Sequence, residues 1–185
     1  MASAPDASAE PAVSLAARAV FEARQDPSLA ATFGPGGGNL AVALGVGVWR
    51  SVGIDVEGGW TRLDRGQGTS LDLIPLTTLA TLRLPLARES FEAYGGLGSS
   101  FVTFHQVIAG GASPRALAGG RFAGEGRLGV RLDSHLLQAP AAPAPATFRR
   151  LWIEVYGARR FEIPRDVPGF DLSAWRMGLG LAWAP

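Results

Sequence analysis

Read two residues at a time, residues 120–133 separate into two faces. Arg121, Glu125, Arg127, Arg131 and Asp133 are charged and alternate with apolar Phe122, Leu128, Val130 and Leu132; Ala123, Gly124, Gly126 and Gly129 fill the small positions. Successive side chains of a strand point to opposite faces, so this pattern predicts one charged and one oily face. A helix would spread the same charges around its circumference, and the period of two decides for a strand. The alternation holds for roughly a dozen residues, about twice the length of an ordinary strand. A long strand that is apolar on one side and carries both charge signs on the other is what a transmembrane β-barrel requires.

The same alternation predicts seven more strands. The first covers residues 12–24, with Val13, Leu15 and Phe21 opposite Arg18 and Glu22. Residues 25–38 read as a loop containing Asp26-Pro27 and a glycine run, and the second strand follows at 39–49. A tight turn at Arg50-Ser51 leads to the third strand, 52–63. A loop at 65–68 precedes the fourth, 74–86, in which Pro75 and Pro85 belong near the ends because they cannot donate to a ladder. After a turn at 87–89 the fifth strand spans 91–104, and 108–119 reads as a long loop before the charged sixth strand. Residues 137–147 form an Ala/Pro connector expected to be extended. The seventh strand is 149–162, and the eighth, 173–183, follows a loop at 163–171. An even number of strands closes antiparallel. Mostly long connections after odd strands and tight ones after the second and fourth predict an eight-stranded, all-β, up-and-down transmembrane barrel. Residues 1–11 are expected to be a disordered tail and 12–185 a single barrel domain.

Composition narrows the picture. Hydrophobic residues make up 47% of the 185, yet no run approaches the ~20 apolar residues of a membrane helix, so the apolar content is spread over short alternating segments. Seventeen basic residues, all arginine, against 16 acidic ones leave a net charge of +1, which gives no electrostatic case for nucleic acid. Arginine suits internal ion pairs, because its planar fork grips carboxylates and stays charged when desolvated. Cysteine is absent, which excludes a disulfide scaffold or a thiolate site. The N-terminus lacks a basic and an apolar signal region, so an exported chain is expected here in mature form with an added Met.

The inward register collects Arg18, Glu22, Asp55, Glu57, Arg83, Glu92, Tyr94, Arg121, Glu125, Arg127, Arg131, Glu154, Tyr156, Arg160 and Arg176. An eight-stranded barrel is just wide enough to be filled by side chains, and unpaired buried charge is costly, so these groups are expected to pair with one another and plug the lumen. Trp49, Trp60, Phe91, Phe104, Trp175 and Trp183 lie near predicted strand ends and are expected to form aromatic girdles. Arg62 and Arg159 fall on the apolar register, next to long loops at the rim, where charge costs little.

Three local patterns resemble the small bacterial outer-membrane β-barrels of the OmpA, OmpX and OmpW type: Tyr94-Gly95-Gly96-Leu97-Gly98, Gly124-Glu125-Gly126, and the closing strand from Trp175 to Trp183. The resemblance spans most of the chain. It implies a location in the bacterial outer membrane, contact with its lipid and lipopolysaccharide, and a passive role in structure, anchoring or an envelope assembly. It also leaves open a conduit for small hydrophobic molecules, for which Val20, Leu63, Leu79, Val102, Phe104 and Trp152 are inward candidates that do not gather in one strand region. Outer-membrane lipid A deacylases carry His-x-Ser; here His105-Gln106-Val107 and His135-Leu136-Leu137 lack it, so no catalytic residue, cofactor or metal is expected. A soluble lipocalin-type barrel would reverse the faces, and strand length, glycine on the charged register and the terminal aromatics favour the membrane. Within the connector, Gln138, Pro140, Pro143 and Pro145 are candidates for docking a periplasmic or membrane partner.

Overall fold

The structure, a computed structural model, describes residues 13–49, 51–66, 68–86, 90–109, 115–134, 150–163 and 171–184. Eight strands run in chain order: β1 (Val13–Arg24), β2 (Gly36–Trp49), β3 (Val52–Gly66), β4 (Thr69–Leu86), β5 (Phe91–Ile108), β6 (Arg115–Asp133), β7 (Arg150–Glu162) and β8 (Ala174–Ala184). Each pairs antiparallel with its neighbours, and β1 pairs with β8, so the meander closes and leaves no edge along its main body. The start of β1, the end of β8 and the strand ends joined after β2, β4 and β6 lie at one end of the barrel, here the lower; the opposite strand ends lie at the upper end.

The faces sort as the alternation requires. Leu40, Leu128 and Leu97 are 75%, 74% and 72% exposed on the outside, while Arg18, Glu57, Arg127, Glu154 and Arg176 are buried inside. A water-soluble protein does not surround itself with exposed leucine while burying charge, so the outer surface is one that lipid covers. This arrangement also disposes of the lipocalin-type reading, which needs the opposite faces.

Three segments differ from the expectation. Residues 25–38 are not all loop, because α1 (Pro27–Phe33) stands between β1 and β2. Asp26 is its N-cap, accepting from the amides of Ser28 at 2.7 Å and Leu29 at 2.9 Å, and Pro27 occupies the first turn. That is the start signature of a helix, which on paper doubles as a turn signal. The glycine run is strand: Gly36 pairs with Ala23, and a Cβ on it would lie 2.6 Å from the Phe21 ring. The connection after β3 is tight, with β3 and β4 continuing to Gly66 and Thr69; Gly66 and Gly68 take φ of 79° and 77° there, which favours glycine. β6 likewise begins at Arg115 and pairs with β5 up to Ile108, so 115–119 are strand instead of loop. The tail 1–11 and the connector 137–147 lie outside the described residues.

Outward Phe21, Trp60, Phe122, Phe161 and Trp175 ring the upper part of the belt, with Phe101 packed at a tilt of 49° against Phe122, 4.7 Å between centroids. Trp49, Phe91 and Trp183 lie at the lower end. Phe104 does not join either ring. It turns inward and packs on buried Leu63, Leu71, Leu73 and Val102, because β5 runs on past the membrane and its fourteenth residue is not at the membrane boundary.

Gly98 offers a direct test of this packing. A Cβ there would sit 1.9 Å from the Thr78 carbonyl oxygen, whereas one at Gly58 meets nothing within 4 Å. Gly98→Ala is expected to lower the unfolding free energy by about 1–3 kcal/mol, and Gly58→Ala to leave it unchanged or raise it by up to ~1 kcal/mol, both read by urea unfolding of the barrel in lipid vesicles. The α1 cap makes a second prediction. Partial burial pushes the Asp26 carboxyl up, but hydrogen bonds from Ser28, Asp171 and Leu29 outweigh it and hold it below the usual carboxylate range. The depressed value means that the cap is intact above about pH 4 and is lost as pH falls through the folded-state value. Hydrogen exchange at Leu29 and Ala30 is expected to accelerate below that pH, and in Asp26→Ala to be fast throughout.

Candidate functional site

The inward register assembles in the barrel's middle and lower parts into one arginine–carboxylate network. Arg18, Arg83, Arg127, Arg131, Arg160 and Arg176 face Glu22, Asp55, Glu57, Glu92, Glu125 and Glu154, drawn from all strands but β2. Among the described residues these six cations meet six anions. Strand β2 contributes space: Ala41, Ala43 and Gly45 point inward, and a Cβ on Gly45 would lie 2.7 Å from Asp55 Oδ1.

Glu57 is the hub. It accepts from Arg18 Nη1 at 2.6 Å, Arg127 Nη1 at 2.9 Å and Arg176 Nη2 at 2.9 Å, so three other strands converge on one carboxylate of β3. Glu154 on β7 accepts from Arg18 Nε and, at 3.1 Å, from Arg131 Nε. Glu125 on β6 accepts from Arg127 Nη2 at 2.9 Å, and both its oxygens accept from Arg176 Nη1 at 2.8 Å. Arg176 also reaches Glu22 on β1 at 2.9 Å, which spends its fork on three carboxylates. Arg160 approaches Glu22 at 3.5 Å and Glu125 at 3.6 Å, a coulombic contact too long for good hydrogen bonds.

Lower down, Asp55 accepts from Arg83 Nη2 at 3.0 Å, and Arg131 stands 3.6 Å from Glu92. Two tyrosines wall the network. Tyr156 lies under Arg127, 4.3 Å from ring centroid to guanidinium carbon, and Tyr94 under Arg131 at 4.9 Å. Each ring occupies the place of a missing side chain: a Cβ on Gly178 would come within 2.2 Å of Tyr156, and one on Gly129 within 2.6 Å of Tyr94. Arg121 is the predicted member that stands apart. It pairs near the upper rim with Glu162 at 2.5 Å, and Glu162 in turn accepts from the Leu172 amide at 2.8 Å.

Above the network the interior turns apolar. Leu63, Leu71, Leu73 and Val102 form a buried cluster, closed from above by Leu29 and Phe33 of α1 and by Leu172. Leu63, Val102 and Phe104 do gather, contrary to the expectation that the inward apolar residues are scattered, while Val20, Leu79 and Trp152 lie elsewhere. Leu29, Phe33 and Leu172 were missed because they sit outside the alternating strands; the Asp26-Pro27 helix start was the available signal. His105 is exposed on β5, opposite Asp72 of β4, and His135 and the docking candidates Gln138, Pro140, Pro143 and Pro145 lie outside the described residues.

No protein-family model matches the sequence, and no curated protein is similar to it in sequence. Solved structures do match. Neisserial surface protein A superposes with a TM-score of 0.57 at 10% identity, covering 93% of this chain and 95% of that one. Ail, the attachment invasion locus protein of Yersinia pestis, solved with the heparin analogue sucrose octasulfate, gives 0.57 at 9% identity over 96% of this chain and all of its own. The N-terminal β-barrel domain of Pseudomonas aeruginosa OprF gives 0.52 at 9% identity, over 95% and 100%. At such identities the likeness is one of fold, and this chain has the fold of the small eight-stranded bacterial outer-membrane β-barrels.

Proposed function

We propose that the protein is a non-enzymatic structural element of a bacterial outer membrane, a barrel whose lumen is closed by its own side chains. Its termini and short turns face the periplasm, and α1 and the long β5–β6 hairpin face outward. The observation that carries this reading is the network centred on Glu57. A conducting pore needs mobile ions to exchange with wall charges, whereas here Glu22, Asp55, Glu57, Glu125 and Glu154 already accept from arginine. The apolar cluster under α1 supports it, because its members are at most 6% exposed and occupy the space a hydrophobic ligand would need.

The barrel is expected to partition into detergent or lipid, to show heat-modifiable gel mobility, and to give no steady conductance steps in a planar bilayer. Regular ion-selective steps from the purified protein would overturn the closed lumen, and a monodisperse detergent-free monomer would overturn the membrane barrel itself.

The network also predicts a graded mutational response. Glu57→Ala leaves three buried guanidiniums short of a partner and is expected to cost about 3–5 kcal/mol. Arg121→Ala, which removes a single largely buried pair near the rim and leaves Glu162 the Leu172 amide as a donor, is expected to cost less, about 1.5–3 kcal/mol. Urea titration in vesicles reads both; equal losses would mean that the network is not what holds the interior.

A further inference from the structure

The lipid-facing wall is not uniform. A groove of about 1340 Å³ crosses its outer surface from β8 to β4. Two hydrogen-bonded rows build it. One runs Trp175, Arg159, Gly126, Leu97, Ala80, and the next runs Met177, Gly157, Leu128, Gly95, Leu82, Val52. The small residues of the two rows interleave, so that Gly157, Gly126, Gly95 and Ala80 zigzag across the wall; Leu97 leans over Gly126 and Leu128 over Gly95, their Cδ2 atoms 3.3 Å and 3.1 Å from where a Cβ would stand, and Gly157 is left uncovered. A Cβ at Gly157 would meet nothing within 4 Å. That glycine makes room for no side chain of the protein, and the space above it is open groove. Glycine in a strand interior weakens the strand and often marks a place where a ligand approaches closely.

At the upper end of the groove stands Arg159. It points out of the barrel on the apolar register, with its guanidinium carbon 4.7 Å from the Trp175 ring centroid and Nη2 donating to Gln25 Oε1 at 3.1 Å. Arg159 lies three residues from the upper end of β7, and Trp175 is the second residue of β8, so the charge sits beside the upper aromatic ring. Its bond to Gln25 aims it upward, out of the hydrocarbon. Among the side chains lining the groove, Arg127 and Arg176 belong to the interior network, which leaves Arg159 as the charge presented to the lipid. Among the described residues no carboxylate lines the groove with it.

We infer that the groove binds one lipid of the extracellular leaflet, an acyl chain seated over Gly157 between Leu128 and Met177 and a headgroup phosphate on Arg159. A shallow apolar channel ending in one outward cation at the headgroup level is complementary to a phosphate-bearing acyl lipid, and in an outer membrane that leaflet supplies a phosphorylated glycolipid. The inference rests on the membrane-spanning reading above but not on a closed lumen.

Diphosphoryl lipid A and the same lipid with both phosphates removed, each added to the barrel in neutral detergent, are the probes; native mass spectrometry counts retained lipid and thermal unfolding reads stabilisation. The parent is expected to retain diphosphoryl lipid A in preference to its dephosphorylated form. Arg159→Gln should weaken lipid A retention about five- to tenfold. Gly157→Leu, whose Cβ meets nothing within 4 Å and whose side chain occupies the groove, should weaken retention of the acyl chain, while Gly58→Leu, an outward glycine outside the groove, should behave as the parent. Retention of lipid A unchanged in both Arg159→Gln and Gly157→Leu would overturn the site, with the barrel itself intact. Equal retention of the two lipids by the parent would overturn the phosphate contact, and dimers abolished by Gly157→Leu would assign the groove to a second copy of the chain. Failure of the parent to enter detergent micelles would overturn the membrane reading instead.

Discussion

The structure depends on keeping charge away from both lipid and bulk water. Six guanidiniums and six carboxylates lie inside a wall whose outer face is hydrocarbon-like. A charge turned out at mid-belt costs about 2–4 kcal/mol, and one left unpaired inside costs as much or more. Register is therefore fixed twice. A slip of one residue turns a strand's charges into the lipid, and a slip of two breaks the pairs. Arg176 makes the second constraint concrete, since its one side chain touches Glu22 of β1, Glu57 of β3 and Glu125 of β6. No two of those strands are neighbours, so that contact specifies how the whole barrel closes.

Filling the lumen with long side chains requires empty positions opposite them, and glycine and alanine on the inward register supply these. Tyr156 lies over Gly178, Tyr94 over Gly129, and the stem of Arg18 within 2.9 Å of where a Gly180 Cβ would be. Small and large residues thus face each other across the strands, and the arginine planes are gripped between carboxylates and tyrosine faces. The aromatic contacts add direction to the ion pairs, because a guanidinium stacked on a ring has fewer ways to turn.

Most of this wall was legible in the sequence because a period of two survives wherever one face meets lipid and the other a polar interior. Where that condition ends, the reading ends. Residues 115–120 of β6 are exposed throughout, so no alternation betrays the strand. Asp26-Pro27 serves turns and helix caps alike, and only the chain's return to Gly36 decides between them. Phe104 was assigned by its distance from a strand end, and the strand went on. For the site, the sequence told which residues point inward but not which meet. Arg18 and Glu154 are 136 residues apart and join because the barrel closes, a fact carried by register and not by any local motif.

The two interior layers follow from a change of solvent along the barrel axis. Inside the belt the wall faces lipid, and the interior is where polar groups can be satisfied. Above it the strands stand in water, and the ordinary rule of soluble proteins returns. On β5 the inward register continues unbroken from Tyr94 through Ser100 and Val102 to Phe104, yet its chemistry passes from ion pairing to hydrocarbon packing. The outward register passes the other way, from Leu97 in the belt to Thr103 and His105 above it. An open apolar layer at that height would be wetted from above. Helix α1 prevents this by setting Leu29 and Phe33 onto the cluster, held from one side by the Asp26 cap and from the other by Arg24, whose Nη1 donates to the Gly34 carbonyl at 2.8 Å. The short helix is thus required by the strands that outgrow the membrane.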